Sequence, residues 1–132
     1  MRHPDLFLIG TQKGGSSSFF RGLCLHPEIA RMAVKECNIY TQGTPEAVTA
    51  RLAECQPAGE PVTTRYLIDA STDYSRCPKF PDVPRTIRAR CPVPEALRFL
   101  YVMRHPVERL ISNYFWRNQL YGLPHDLTGA IE

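Results

Sequence analysis

Residues 6–10 read Leu-Phe-Leu-Ile-Gly, and they run at once into Thr-Gln-Lys-Gly-Gly and then three serines. A run that is apolar at every position, instead of alternating, suits a strand covered on both faces, and such strands belong to parallel sheets with helices on either side. The expectation is a first strand over Leu6 to Gly10, a turn over Thr11 to Gly15, and a helix capped by Ser16 to Ser18. Phe19, Phe20, Leu23 and Cys24 fall at helical spacing in that helix, and His26-Pro27 ends it.

The remaining chain alternates in the same way. Ile29 to Val34 reads as a second strand leading to Lys35 and Glu36. Thr44-Pro45 is a cap followed by a first-turn proline, opening a helix to about Glu54 with Val48 and Leu52 on one face. Val62 to Asp69 is rich in β-branched and aromatic residues and reads as a strand. A short helix is expected around Thr86 to Arg90, and another buried strand over Leu97 to Met103. From Pro106, the residues Val107, Leu110, Ile111, Tyr114 and Phe115 recur at i, i+3, i+4, i+7 and i+8, a helical stripe reaching Leu120. Strands alternating with helices at these lengths predict an α/β fold with a mostly parallel sheet.

Composition narrows the function. The chain has 132 residues, of which 43% are hydrophobic, the size of one domain with a core of its own. Its 16 Lys and Arg against 13 Asp and Glu give a formal charge of +3, too small to imply nucleic acid as partner and better matched to a local anion pocket. The five cysteines are widely spaced, so neither a redox CxxC nor a zinc signature is present, and free thiols are expected. No stretch approaches the roughly 20 apolar residues of a membrane span, and the residues before Leu6 lack a signal peptide's apolar core. The chain reads as soluble as written. Arg85, Arg88 and Arg90 form a basic run, read first as a solvated face and second as a contact for an anionic glycan.

Two segments carry the chemistry. In the stretch from Gly10 to Ser18, glycines join a buried strand to a helix, so that backbone amides and the hydroxyls of Ser16, Ser17 and Ser18 can meet a phosphate at the positive end of the helix, with Lys13 beside them. Gly10 and Gly15 have the separation of a P-loop, but Ser16 stands where its lysine belongs. The second segment, Tyr101 to Tyr114, passes from strand to helix through Arg104. In a parallel sheet Arg104 and the Lys13 loop open on the same edge, where ligands collect, and Ser112 lies two helical turns further on. An arginine there suits bidentate phosphate binding. A plain strand-to-helix turn and a structural ion pair remain the alternative readings of the two segments.

Together these residues resemble the sulfotransferase family that uses 3′-phosphoadenosine 5′-phosphosulfate (PAPS), and within it the branch acting on heparan sulfate and related glycans. LFLIGTQKGGSSSFFRGLCLHPEI resembles the family's 5′-phosphosulfate loop and its following helix. The resemblance implies that Lys13, Gly14, Gly15, Ser16 and Ser17, with Ser18 beside them, hold the 5′ end of PAPS, Lys13 also assisting departure of the sulfuryl group. VKECNIY resembles the segment with the family's catalytic glutamate, which maps onto Glu36. YLIDASTDY resembles the segment lining the acceptor cleft, and LYVMRHPVERLISNYF resembles the 3′-phosphate motif, with Arg104 and Ser112 as its grip. Asp69 to Thr72 lack the lysine usual in the glycan-acting members, and Asn38 replaces an aromatic or histidine neighbour.

The resemblance implies a P-loop-like, mostly parallel sheet flanked by helices, with residues 1–132 as the N-terminal, PAPS-binding portion of a sulfotransferase domain. Members of the family are longer, so a fragment, a truncated product or a degenerate member is expected. The acceptor would be a hydroxyl or amine, first of all on a glycan, and no metal is required. A Golgi lumen would follow if this were part of a eukaryotic glycan sulfotransferase. Two other readings stay open. One is a P-loop kinase or nucleotide hydrolase with Asp69 as magnesium ligand. The other is a non-catalytic remnant that binds nucleotide or glycan.

Overall fold

A computed structural model of the chain describes residues 1–59 and 64–122. Four strands, β1 (Leu6–Leu8), β2 (Ile29–Arg31), β3 (Tyr66–Ala70) and β4 (Arg98–Leu100), form one sheet in the order β2-β3-β1-β4. Every neighbouring pair is parallel, with Leu6 opposite both Ile68 and Arg98 and Ile29 opposite Tyr66. The helices are α1 (Ser16–Leu23), α2 (Pro45–Glu54), α3 (Val83–Arg90) and α4 (Pro106–Tyr121). The α/β architecture with a parallel sheet is the one the alternating pattern predicted.

The apolar first strand explains why helices cover both faces. Leu6 and Leu8 point to one side, where they pack with Ile68, Ala70 and Phe20 of α1. Phe7 points to the other, among Tyr40, Leu67, Val48 and Leu52 of α2, and Val83 and Ile87 of α3. Its ring stacks on Phe99 at 5.2 Å and meets the edge of Tyr40 at 5.8 Å. Thr44 caps α2 as expected, its hydroxyl accepting from the Ala47 amide at 3.2 Å. Arg85, Arg88 and Arg90 are all exposed on α3. All five cysteines are free thiols, Cys37, Cys55 and Cys91 buried and Cys77 exposed. Among the described residues no helix is long and apolar enough to cross a membrane.

Several expectations need correction. Ser16 to Ser18 do not cap α1; they are its first turn, and the cap position belongs to Gly15, at φ 95°. β2 ends at Arg31 and not at Val34, because the chain then bends toward Glu36. β3 begins at Tyr66, and Val62 and Thr63, expected in it, lie outside the described residues. α3 starts at Val83, earlier than Thr86, with Pro84 in its first turn, where a missing amide costs nothing.

β4 is not a buried strand. It is the edge of the sheet among the described residues, and Phe99 is half exposed. Its pairing with β1 nonetheless runs on past both strand ends, through Ile9 N to Leu100 O at 3.0 Å, Val102 N to Gly10 O at 2.9 Å and Thr11 N to Val102 O at 2.9 Å. The apolar stripe of α4 is likewise not core. Of its five residues Tyr114 is buried, whereas Val107, Leu110, Ile111 and Phe115 are exposed. A 3.6-residue period reports that a helix has an apolar side, not what lies against it.

Candidate active site

The loop after β1 is shaped by its glycines. Gly15 takes a left-handed backbone that a side chain disfavours. At Gly14 a Cβ would lie 2.5 Å from Thr11 Cγ2 and 3.0 Å from the Val102 carbonyl, so the loop presses directly on the β4–α4 connection. Lys13, just before them, is also left-handed at φ 62°. The first backbone bond of α1 runs from the Phe19 amide to the Gly15 carbonyl, 3.1 Å, so the amides of Ser16, Ser17 and Ser18 precede the ladder at the positive helix end. Ser16 is buried, while Ser17 and Ser18 are exposed.

Glu36 arrives from the far side of the sheet. Beyond β2 the chain still follows β3, with Met32 N to Ile68 O at 3.1 Å and Glu36 N to Ala70 O at 2.9 Å. Glu36 and Asn38 both adopt left-handed backbones, at φ 60° and 51°. Such conformations cost about 1–3 kcal/mol each and persist where surrounding bonds over-determine them. Here the Glu36 carboxylate accepts from the Lys35 ammonium at 2.6 Å, the Thr72 amide at 2.8 Å and the Thr72 hydroxyl at 3.3 Å.

A buried network stands behind this turn. The Asn38 amide donates to Ser71 Oγ at 3.0 Å, and Ser71 Oγ donates to Asp69 Oδ1 at 2.6 Å. The Tyr74 hydroxyl donates to the other Asp69 oxygen. Asp69 has no exposed surface. Burial pushes its carboxyl up to about 6, against the opposing pull of the Ser71 and Tyr74 hydroxyls. With both oxygens engaged inside the core, Asp69 is not placed as a magnesium ligand, which removes the support a kinase reading drew from it.

The structure brings Lys13, Ser16, Ser17 and Glu36 to the wall of one recess of about 410 Å³ at the carboxyl ends of the strands. Gly14, Gly15, Ser18, Arg104 and Ser112 do not line it. Arg104 still reaches the loop, its Nη1 lying 3.5 Å from the Lys13 carbonyl while its Nε pairs with Glu108 at 3.3 Å. Ser112 is half-buried on α4. Sequence reasoning missed Lys35, Arg76 and Trp116 as wall residues, and reached Thr72 only as part of the segment resembling the acceptor-cleft lining. Trp116 carries a readable signal, since it follows Arg109 and Ser112 by helical spacing; its ring lies 5.7 Å from the Lys13 ammonium. Arg76 carries none, because only the closure of the sheet brings it near Glu36. A larger cavity, about 530 Å³ over Phe99 and Ile87, shares no residue with this recess.

Chemically the recess combines three cations, Lys13, Lys35 and Arg76, the last two paired with the wall carboxylates Glu36 and Asp73, with free helix amides and the Glu36 carboxylate held by a backbone N–H. It can bind an anion and accept a proton beside it. No protein-family model matches the chain. Among solved structures it is similar to a sulfotransferase from Alicyclobacillus acidocaldarius, with a TM-score of 0.70 and 20% identity over 94% of this chain and 54% of that one. The chain therefore spans about half the length of that protein. The likeness establishes a shared fold, an α/β parallel sheet flanked by helices.

Proposed function

We propose that residues 1–132 are the PAPS-binding portion of a sulfotransferase domain, transferring a sulfuryl group to a hydroxyl or amine of an acceptor, in the first instance a glycan. The observation that carries this reading is the convergence of the Lys13 loop and Glu36 on one recess, with the Arg104 guanidinium 3.5 Å from the Lys13 carbonyl. The fit to a nucleotide that is anionic at both ends is supported by a wall with three cations against two carboxylates, and by Gly14, where a Cβ would meet Thr11 and the Val102 carbonyl of the β4–α4 connection.

PAPS supplies a sulfuryl group already activated by its bond to the 5′-phosphate. Lys13, the α1 amides and the serine hydroxyls hold the 5′ end, with Gly14 and Gly15 giving the backbone its close approach; Arg104 and Ser112 hold the 3′-phosphate. Glu36, oriented by Thr72 and Lys35, takes the proton of the acceptor as its oxygen or nitrogen bonds to sulfur and the sulfur bond to the phosphate oxygen breaks. Lys13 and the helix end stabilise the charge that collects on the departing phosphate. This scheme uses no metal.

Calorimetric titration with 3′-phosphoadenosine 5′-phosphate tests the reading, with ATP and a Lys13→Ala variant as controls. Binding that depends on Lys13 and is not matched by ATP is expected. A folded chain that ignores this nucleotide would sink the assignment.

A further inference from the structure

A second recess, of about 330 Å³, adjoins the first and has a different electrostatic character. Arg76, Lys79 and Arg109 line it, and among the described residues no carboxylate does. Asp73 pairs with Arg76 at 2.7 Å from outside the wall, so two positive charges stay uncompensated. That pair occupies one of the five guanidinium N–H donors of Arg76. Arg109 spends its Nε on the Gln12 carbonyl at 3.1 Å, and its terminal nitrogens are further donors. The Lys79 ammonium lies 4.8 Å above the Phe80 ring. Basic residues on a convex surface are ordinarily just solvated; within a concavity the same charges focus their field on whatever enters.

The two recesses share Gln12, Thr72 and Arg76 as wall residues. Thr72 is the residue that holds the Glu36 carboxylate, so an anion seated among Arg76, Lys79 and Arg109 sits next door to the proposed base. Pro78 and the half-exposed Tyr101 give the recess an apolar flank. Its volume is near the lower end of the ~300–1,000 Å³ typical of small-molecule sites, suited to one ring with one acidic substituent.

We propose that this recess is an anion subsite that receives an acidic group of the acceptor, a carboxylate or an ester sulfate, and so selects acceptors that carry a nucleophile and an acid on one scaffold. Its link to the acceptor rests on the sulfuryl-transfer reading; the anion site itself does not. Two arginines supply the planar fork that matches such oxygens bidentately.

The test titrates the whole chain with 4-hydroxybenzoate and its uncharged counterpart 4-hydroxybenzamide, with and without saturating 3′-phosphoadenosine 5′-phosphate. Binding is read by NMR and by the rate at which neutral iodoacetamide modifies Cys77, an exposed thiol in the recess wall. The acid should bind and protect Cys77 while the amide does neither, and Lys79→Gln with Arg109→Gln, which line this recess and not the nucleotide one, should weaken the acid by about tenfold, the loss expected for charge-assisted bonds. Unreactive Cys37, Cys55 and Cys91 verify that a variant is folded. Equal behaviour of acid and amide, or acid binding that survives both substitutions, overturns the proposal. So does a result in which those substitutions abolish nucleotide binding instead, because the recess would then belong to the donor. If the nucleotide fails to bind but the acid still binds through Lys79 and Arg109, the anion subsite stands and the sulfuryl-transfer reading falls.

Discussion

The Thr72 amide donates to the Glu36 carboxylate at 2.8 Å across a separation of 36 residues. That bond ties the loop after β3 to the turn after β2 and fixes the carboxylate toward the recess shared with Lys13. It also makes the backbone, not only side chains, part of the site.

From that relationship, Glu36→Gln should leave the site's shape intact, since the amide oxygen can still accept from Thr72, while removing the group that takes a proton. Nucleotide affinity is expected to stay within about threefold of the parent, and sulfuryl transfer to fall by about 10²–10⁴, the usual worth of a positioned general base. Parallel calorimetry and transfer of labelled sulfate check both halves; equal losses in the two would mean that Glu36 holds ligand.

Lys13 combines a charge with a left-handed backbone at φ 62°, and two substitutions separate them. Lys13→Ala removes the charge and keeps the conformational cost, whereas Lys13→Gly removes both. Both variants should lose nucleotide binding alike, but the glycine variant should be the more stable by about 1 kcal/mol. Urea midpoints at neutral pH decide this, and a glycine variant no more stable than the alanine one would mean that the left-handed backbone at residue 13 carries no such cost.

Asp69 makes a pH signature. Its folded carboxyl titrates at about 6, above the ordinary 3.8, so between those values the folded chain holds more protons than the unfolded one. Asp69's contribution is therefore most favourable below about pH 4, falls as pH rises toward 6, and is level above that, for a change on the order of 3 kcal/mol. The difference in urea midpoint between the parent and Asp69→Asn, measured from pH 4 to 7, should carry this slope. A pH-independent difference would mean that the carboxyl is not perturbed by burial.

The α4 stripe divides by burial. Tyr114→Ala should cost about 2–4 kcal/mol, whereas Leu110→Ser and Phe115→Ser, at exposed positions, should each change stability by less than about 0.5 kcal/mol. The same two exposed substitutions should lower self-association in sedimentation, because they shrink an apolar patch. Large destabilisation by Phe115→Ser would show that this side is covered.

Local spacing was enough for the strand-turn-helix at Leu6 to Leu23, the capped helix after Thr44 and the parallel α/β class: an unbroken apolar run, glycines at the turn, a threonine before a proline. The sequence also marked Lys13, Glu36 and Arg104 as candidates, the glutamate only through resemblance, since nothing local distinguishes it. Tertiary structure alone decided that Glu36 meets Lys13 at one recess, that Thr72 and Arg76 join them, and that Asp69 is locked in the core. It also decided that β4 is an edge and that most of the α4 stripe is exposed. The reason is physical. Periodicity tells each element which side is apolar, whereas the order β2-β3-β1-β4, which places residues far apart in the chain at one strand edge, exists only after long-range pairing has closed the sheet.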